Sequence, residues 1–202
     1  VGGLGVELRI IHGQSQGVEG RAPERLSVAA DREGRFRFEG LSVDSVYQAA
    51  ATYQGVAYAG PLLQFPPDVE QLTTELLVYD TTADDGNIVV SRAHLLLVGA
   101  DTEISVTQLH ILENWGDRTY VGRQAIQGRL WTSRFQLPRG ARDVVFEDGA
   151  WGGRFLEIEG GFVDTEPIWP GQSTVIFSYM LDCPSGACDL GRTLQQRVST
   201  LN

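Results

Sequence analysis

The sequence predicts an all-β protein made of two β-sandwich domains in series. Three observations carry that expectation. Apolar residues recur at every second position through most of the chain, the period of a half-buried strand. The 24 glycines and 8 prolines are scattered mostly singly, which punctuates many short strands and does not make a linker. No segment carries a helical apolar stripe; the one candidate, Asp189 to Val198, lacks a clear one.

Taken in order, Val6, Leu8 and Ile10 alternate with Glu7 and Arg9. Leu26, Val28 and Ala30 follow, then Phe36 and Phe38 between arginines, then Tyr47, Ala49 and Ala51. Gln54-Gly55 is a turn between Tyr53 and the segment Val56 to Tyr58. Leu72, Leu76 and Val78 close the set. This is the cadence of about seven short strands over residues 1–79, a first sandwich. Residues 80–87, DTTADDGN, are polar and turn-rich and read as a linker. A second sandwich is expected over 88–202. Ile88 to Val98 and Ile104 to Leu112 form a hairpin about residue 101. Arg129 to Leu137, Val144 to Phe146, Arg154 to Ile158, Gly161 to Val163, Ser173 to Leu181 and Leu190 to Val198 follow.

Composition excludes several classes. Hydrophobic residues are 42% of the chain and charged residues 21%, enough to bury a core. Net charge is −10, and all 16 basic residues are arginine. Such a chain repels phosphate backbones and anionic headgroups, so nucleic acid is not an expected partner. The absence of lysine reads as genomic composition and not as chemistry. No run of 18 apolar residues exists, so no membrane-spanning helix is predicted.

The two cysteines lie in CPSGAC. Pro184, Ser185 and Gly186 are turn residues between segments that read as strands, so Cys183 and Cys188 are expected to close a hairpin loop as a disulfide. That implies an oxidising compartment: extracellular, periplasmic or cell-surface. A zinc site would need two further soft ligands, and c-type haem would need Cys-x-x-Cys-His, which is absent.

At Asp31-Arg-Glu-Gly-Arg-Phe-Arg-Phe-Glu-Gly-Leu41, followed by Tyr47, the chain resembles the carboxypeptidase regulatory-like, or transthyretin-like, domain. The resemblance covers residues 1–79. It implies a small sandwich of the kind found in stalks and spacers of bacterial surface proteins, with Asp31 and Gly34 in a hairpin turn and Phe36 and Phe38 in the core. Val90-Ser-Arg-Ala-His-Leu95, Asn114 to Gly122, Gly152-Gly-Arg-Phe155 and Gly161-Phe-Val-Asp-Thr165 make the second half similar to uncharacterised bacterial envelope proteins with an Ig-like sandwich.

Candidate chemistry is sparse. Pairing His94 with Gln108 across the 88–112 hairpin sets His94 and His110 diagonally on one face, where two imidazoles could ligate a transition metal or haem. Asp80, Asp84, Asp85 and Asn87 cluster oxygen ligands that suit calcium, although their spacing is not that of an EF-hand. The serines lie in alternating strands, none in a nucleophile elbow. The glycine pairs do not precede helices and are not phosphate loops. All four tryptophans fall in the second half. Trp115 with Arg118, Trp151 with Arg154, and Trp169 are the residue types that anchor interfaces.

The sequence therefore predicts a non-catalytic structural or interaction protein of the bacterial cell envelope or exterior. It would be a subunit of a larger assembly whose partners are other protein subunits, self or hetero, and it would need no cofactor unless calcium binds. The alternatives are a carbohydrate-binding or adhesion module, calcium-stiffened, and a metal or haem protein using His94 and His110.

Overall fold

The computed structural model of the chain describes residues 1–11, 24–100 and 102–183. The fold is all-β, with no helix among the described residues. The chain forms two compact units, Val1–Val78 and Tyr79–Asn202.

In the first unit, β1 (Gly5–Ile11), β2 (Glu24–Ala29), β3 (Val46–Tyr53) and β4 (Val56–Gln64) form one antiparallel sheet in the order β2-β1-β3-β4. The turn between β3 and β4 has positive φ at both Gln54 (49°) and Gly55 (80°), the two-residue geometry that matches strand twist. Val6, Leu8, Tyr47 and Ala49 make the buried cluster; Phe36, Phe38, Leu41, Phe65 and Leu76 pack against it. The Asp31 turn is stapled by its own carboxylate, whose Oδ1 accepts N–H groups from Glu33 (3.0 Å) and Arg35 (2.8 Å), with Gly34 at φ +82°. Tyr47 donates its hydroxyl to the Ser42 carbonyl at 2.7 Å, tying the loop before β3 to the sheet.

The strand count of this unit differs from expectation. Residues 35–39 and 71–79 are not strands, although their side chains alternate between half-buried and exposed. Alternation follows from an extended backbone lying on a core; a strand also needs a regular ladder of backbone hydrogen bonds, which these segments do not form among the described residues.

The second unit packs two antiparallel sheets face to face. One, in the order β12-β15-β7-β6, is built from β6 (Ile88–Ala100), β7 (Glu103–Asn114), β12 (Arg142–Phe146) and β15 (Gly171–Asp182). The other, β11-β14-β13, is built from β11 (Ser133–Gln136), β13 (Phe155–Ile158) and β14 (Gly161–Asp164). β9 (Gln124–Ile126) and β10 (Arg129–Trp131) make a small hairpin, so the strand expected over 129–137 is broken at Thr132. Val106, Leu112, Val175, Phe177 and Tyr179 meet Phe135, Phe155 and Phe162 in the core. Each of these phenylalanines, once buried, stabilises the fold by about 1.5–3 kcal/mol. Their edge-to-face contacts, such as Phe162 against Phe177 at 4.9 Å and 89°, add specific geometry.

Residues 80–87 are part of this second unit and not a free connection. β5 (Thr81–Thr82) pairs in parallel with β8 (Thr119–Tyr120), and the Thr119 N–H reaches the Asp80 carbonyl at 2.8 Å. The segment is polar because its side chains face water while its backbone is paired. The expected disulfide and the last expected strand fall on Cys188 and residues 190–198, outside the described residues. Cys183 itself is buried, and its N–H donates to the Thr102 carbonyl at 2.6 Å.

Candidate functional site

The β6–β7 hairpin has a different register from the one the sequence suggested, and this separates the two histidines. His94 faces Leu109 and Ala93 faces His110, because the ladder nearest the turn sets Ala100 opposite Glu103, one residue off a hairpin centred on residue 101; only beyond the bulge between Val90 and Arg92 does the expected pairing return. His110 points into the core, 3% exposed. Its ring stacks on Phe177 (5.8 Å, 4°), and its Nε2 lies 3.0 Å from Gln108 Oε1. His94 lies on the opposite, exposed face. A two-histidine ligand set is not formed.

The acidic cluster is likewise dispersed. Arg123 pairs with Asp85 at 2.6 Å, and the Asp85 side chain in turn helps hold the guanidinium in its charged form. Asp84 Oδ1 accepts the Gly86 N–H at 3.0 Å, and the Asn87 carbonyl accepts the Trp115 N–H. Asp80 offers its backbone to β8. Among the described residues, no three His, Cys, Asp or Glu side chains converge on a point that could hold a metal ion.

The tryptophan–arginine pairs divide by exposure. Trp115 is 68% exposed, with its indole N–H donated to Glu113 Oε2 at 2.7 Å. Glu113 also accepts from Gln172 at 2.7 Å, and these two bonds hold its carboxyl below the usual range. Arg118 is exposed on the same loop, its carbonyl accepting Asn114 Nδ2. Trp151 is 42% exposed and braced by Phe146 (4.8 Å, 79°) and Phe162 (5.9 Å, 87°). Trp169 is half-buried beside the buried Ile168.

Arg154 is not a surface anchor. Its guanidinium folds inward onto Asp164, which is 2% exposed, and its Nη1 reaches Asp148 at 3.2 Å. Burial works against its charge, but the carboxylates of Asp164, Glu166 and Asp148 outweigh burial and raise its pKa. Arg129 completes the brace, donating to the carbonyls of Gly152 and Gly153 and to Thr165 Oγ1. The segments 152–155 and 161–165, separate in sequence, are thus locked together around one buried ion pair.

The surface that sequence reasoning missed is the edge of β6. This strand ends its sheet and pairs only with β7 among the described residues. Leu96 (62% exposed), Leu97 (49%) and Val98 (61%) lie on it in direct succession, so both faces of the strand end are apolar and open. From Arg92 to Ala100 the ladder to β7 is regular, without a further bulge. The opposite edge, β12, is broken by a register shift between Arg142 and Val145 and by positive φ (53°) at Asp143. Proteins blunt edges with such bulges; in β6 the irregularity is confined to Val90–Arg92, and the stretch from Ala93 to Ala100 carries neither a bulge nor a carboxylate. The uninterrupted apolar run 95–98 was the available signal.

No family model, no curated protein and no solved structure matches this chain. No helix among the described residues is long and apolar enough to cross a membrane.

Proposed function

We propose that this is a non-catalytic interaction protein of the cell envelope or exterior, which assembles with further copies of itself by adding strands at β6. The observation that carries the reading is the edge of β6, where Leu96, Leu97 and Val98 are exposed and no second strand pairs among the described residues. Strand addition uses such an edge: main-chain hydrogen bonds give affinity, and alternate side chains give specificity. A second copy suits it. The strand holds Arg92 and His94 but no acid, so two antiparallel copies centred on Leu96 set Arg92 against Ala100 and place no like charges opposite each other. The envelope or exterior location is supported by the Cys183–Cys188 disulfide proposed from CPSGAC, which persists in oxidising compartments.

Native mass spectrometry tests this with the full chain and the Leu96→Lys/Val98→Lys variant, whose charges blunt the edge without entering the core. Dimers or larger species that dissociate in the variant support the reading. A wild-type chain that stays at 22.1 kDa at all concentrations overturns it.

A further inference from the structure

We propose that the groove beside Trp151 is a binding site for a neutral saccharide, separate from the β6 edge. The groove is an open depression of about 420 Å³ on the second unit. Trp151 and Leu156 supply its apolar lining, and Gln127, Arg142, Asp143 and Glu157 its polar lining. A sugar ring has this same mixed character, with C–H faces that lie on an aromatic surface and hydroxyls around its edge that need planar donors and acceptors.

The site is rigid before any ligand arrives. Phe146 and Phe162 hold the indole edge to face, and the backbone of Trp151 bridges to Phe155. Arg129 clamps the carbonyls of Gly152 and Gly153. Two of the lining residues, Gln127 and Asp143, have positive φ (both 53°), a backbone conformation that side-chain-bearing residues seldom adopt. Strained positions held by surrounding structure concentrate at binding sites. Preorganisation of this kind lowers the cost of binding.

Charge selects the class of sugar. Arg142 is engaged by three carboxylates, Asp143 at 2.6 Å, Glu103 at 2.7 Å and Asp182 at 2.9 Å, and Glu157 adds a fourth acid to the groove. One guanidinium among four carboxylates disfavours uronic and sialic acids and the phosphates of nucleotides. A peptide strand is disfavoured by the bulged β12 edge, which offers no regular ladder along the groove.

The test is binding of the full chain to an array carrying neutral hexose and N-acetylhexosamine oligosaccharides and, separately, acidic ones. The best neutral ligand is then titrated against Trp151→Ala, Gln127→Ala and Trp115→Ala variants. The expected result is neutral-sugar binding that Trp151→Ala weakens at least about tenfold and Gln127→Ala weakens measurably, while Trp115→Ala, at an exposed indole outside the groove, leaves it unchanged. Circular dichroism checks the fold of each variant, and Gln127→Ala decides the question if Trp151→Ala does not fold. Silence across the array, binding to acidic glycans alone, or loss of binding in Trp115→Ala but not in the folded groove variants overturns the site.

Discussion

Arg154 and Asp164 form a two-bond ion pair inside the second unit, with Nε to Oδ1 at 2.9 Å and Nη2 to Oδ2 at 2.7 Å. The Asp164 side chain is 3% exposed and that of Arg154 14%. The pair joins the loop before β13 to the end of β14 and holds the segment that carries Trp151. Arg154→Met leaves a buried carboxylate without its cation and is expected to cost about 3–5 kcal/mol. Arg154→Lys keeps the charge but loses the planar fork and should fall between the two. Urea denaturation of the three proteins checks the order, and an Arg154→Met chain as stable as wild type would contradict it.

Gly122 is the second sensitive point. It has φ +81°, and a Cβ there would lie 2.0 Å from the Trp131 carbonyl oxygen. Gly122→Ala therefore combines backbone strain with a clash against β10, and an expected loss of about 1–3 kcal/mol. Thermal unfolding followed by tryptophan fluorescence measures it, since all four tryptophans lie in this unit.

In the first unit, Tyr47→Phe removes one partly buried hydrogen bond to the Ser42 carbonyl while keeping the ring. The expected cost is about 1 kcal/mol. The measurement is the denaturant midpoint of the transition reported by far-ultraviolet circular dichroism. The Tyr47 ring also meets Phe65 edge to face at 6.2 Å, so Tyr47→Ala should cost more than Tyr47→Phe.

The Asp31 turn makes a pH prediction. The Arg35 backbone N–H, then the Arg35 side chain and the Glu33 N–H, hold the Asp31 carboxyl below its usual range. A folded pKa below the unfolded value of about 3.9 means that the turn's contribution is complete above that pH. It is lost as pH falls through the depressed folded value. Carbon-13 NMR titration of the Asp31 carboxyl checks this; titration at or above the ordinary aspartate value would refute it.

Much of this architecture was legible in the sequence. Val6, Leu8, Tyr47 and Ala49 are buried where the alternation placed them, and the Gln54-Gly55 turn is present. Backbone pairing was less legible. Phe36 and Phe38 alternate faultlessly yet belong to no strand, because side-chain period reports a core beneath the chain and not a neighbour beside it. Register was less legible still. A one-residue difference at the turn end of the hairpin, Ala100 opposite Glu103, puts His94 on the opposite face from His110, and the apolar alternation does not announce it. Arg154 looked like a surface residue beside a loop tryptophan. Its partner Asp164 stands ten positions away, across a turn whose closure only the fold supplies.

The β6 edge is tested most directly by hydrogen exchange of the backbone amides from His94 to Val98 at rising protein concentration. Outward-facing amides on an edge that pairs with a second copy become protected as the concentration rises, in step with a mass above 22.1 kDa. Amides in this stretch that exchange at one rate across the whole range, in a chain that stays monomeric, would contradict assembly through β6.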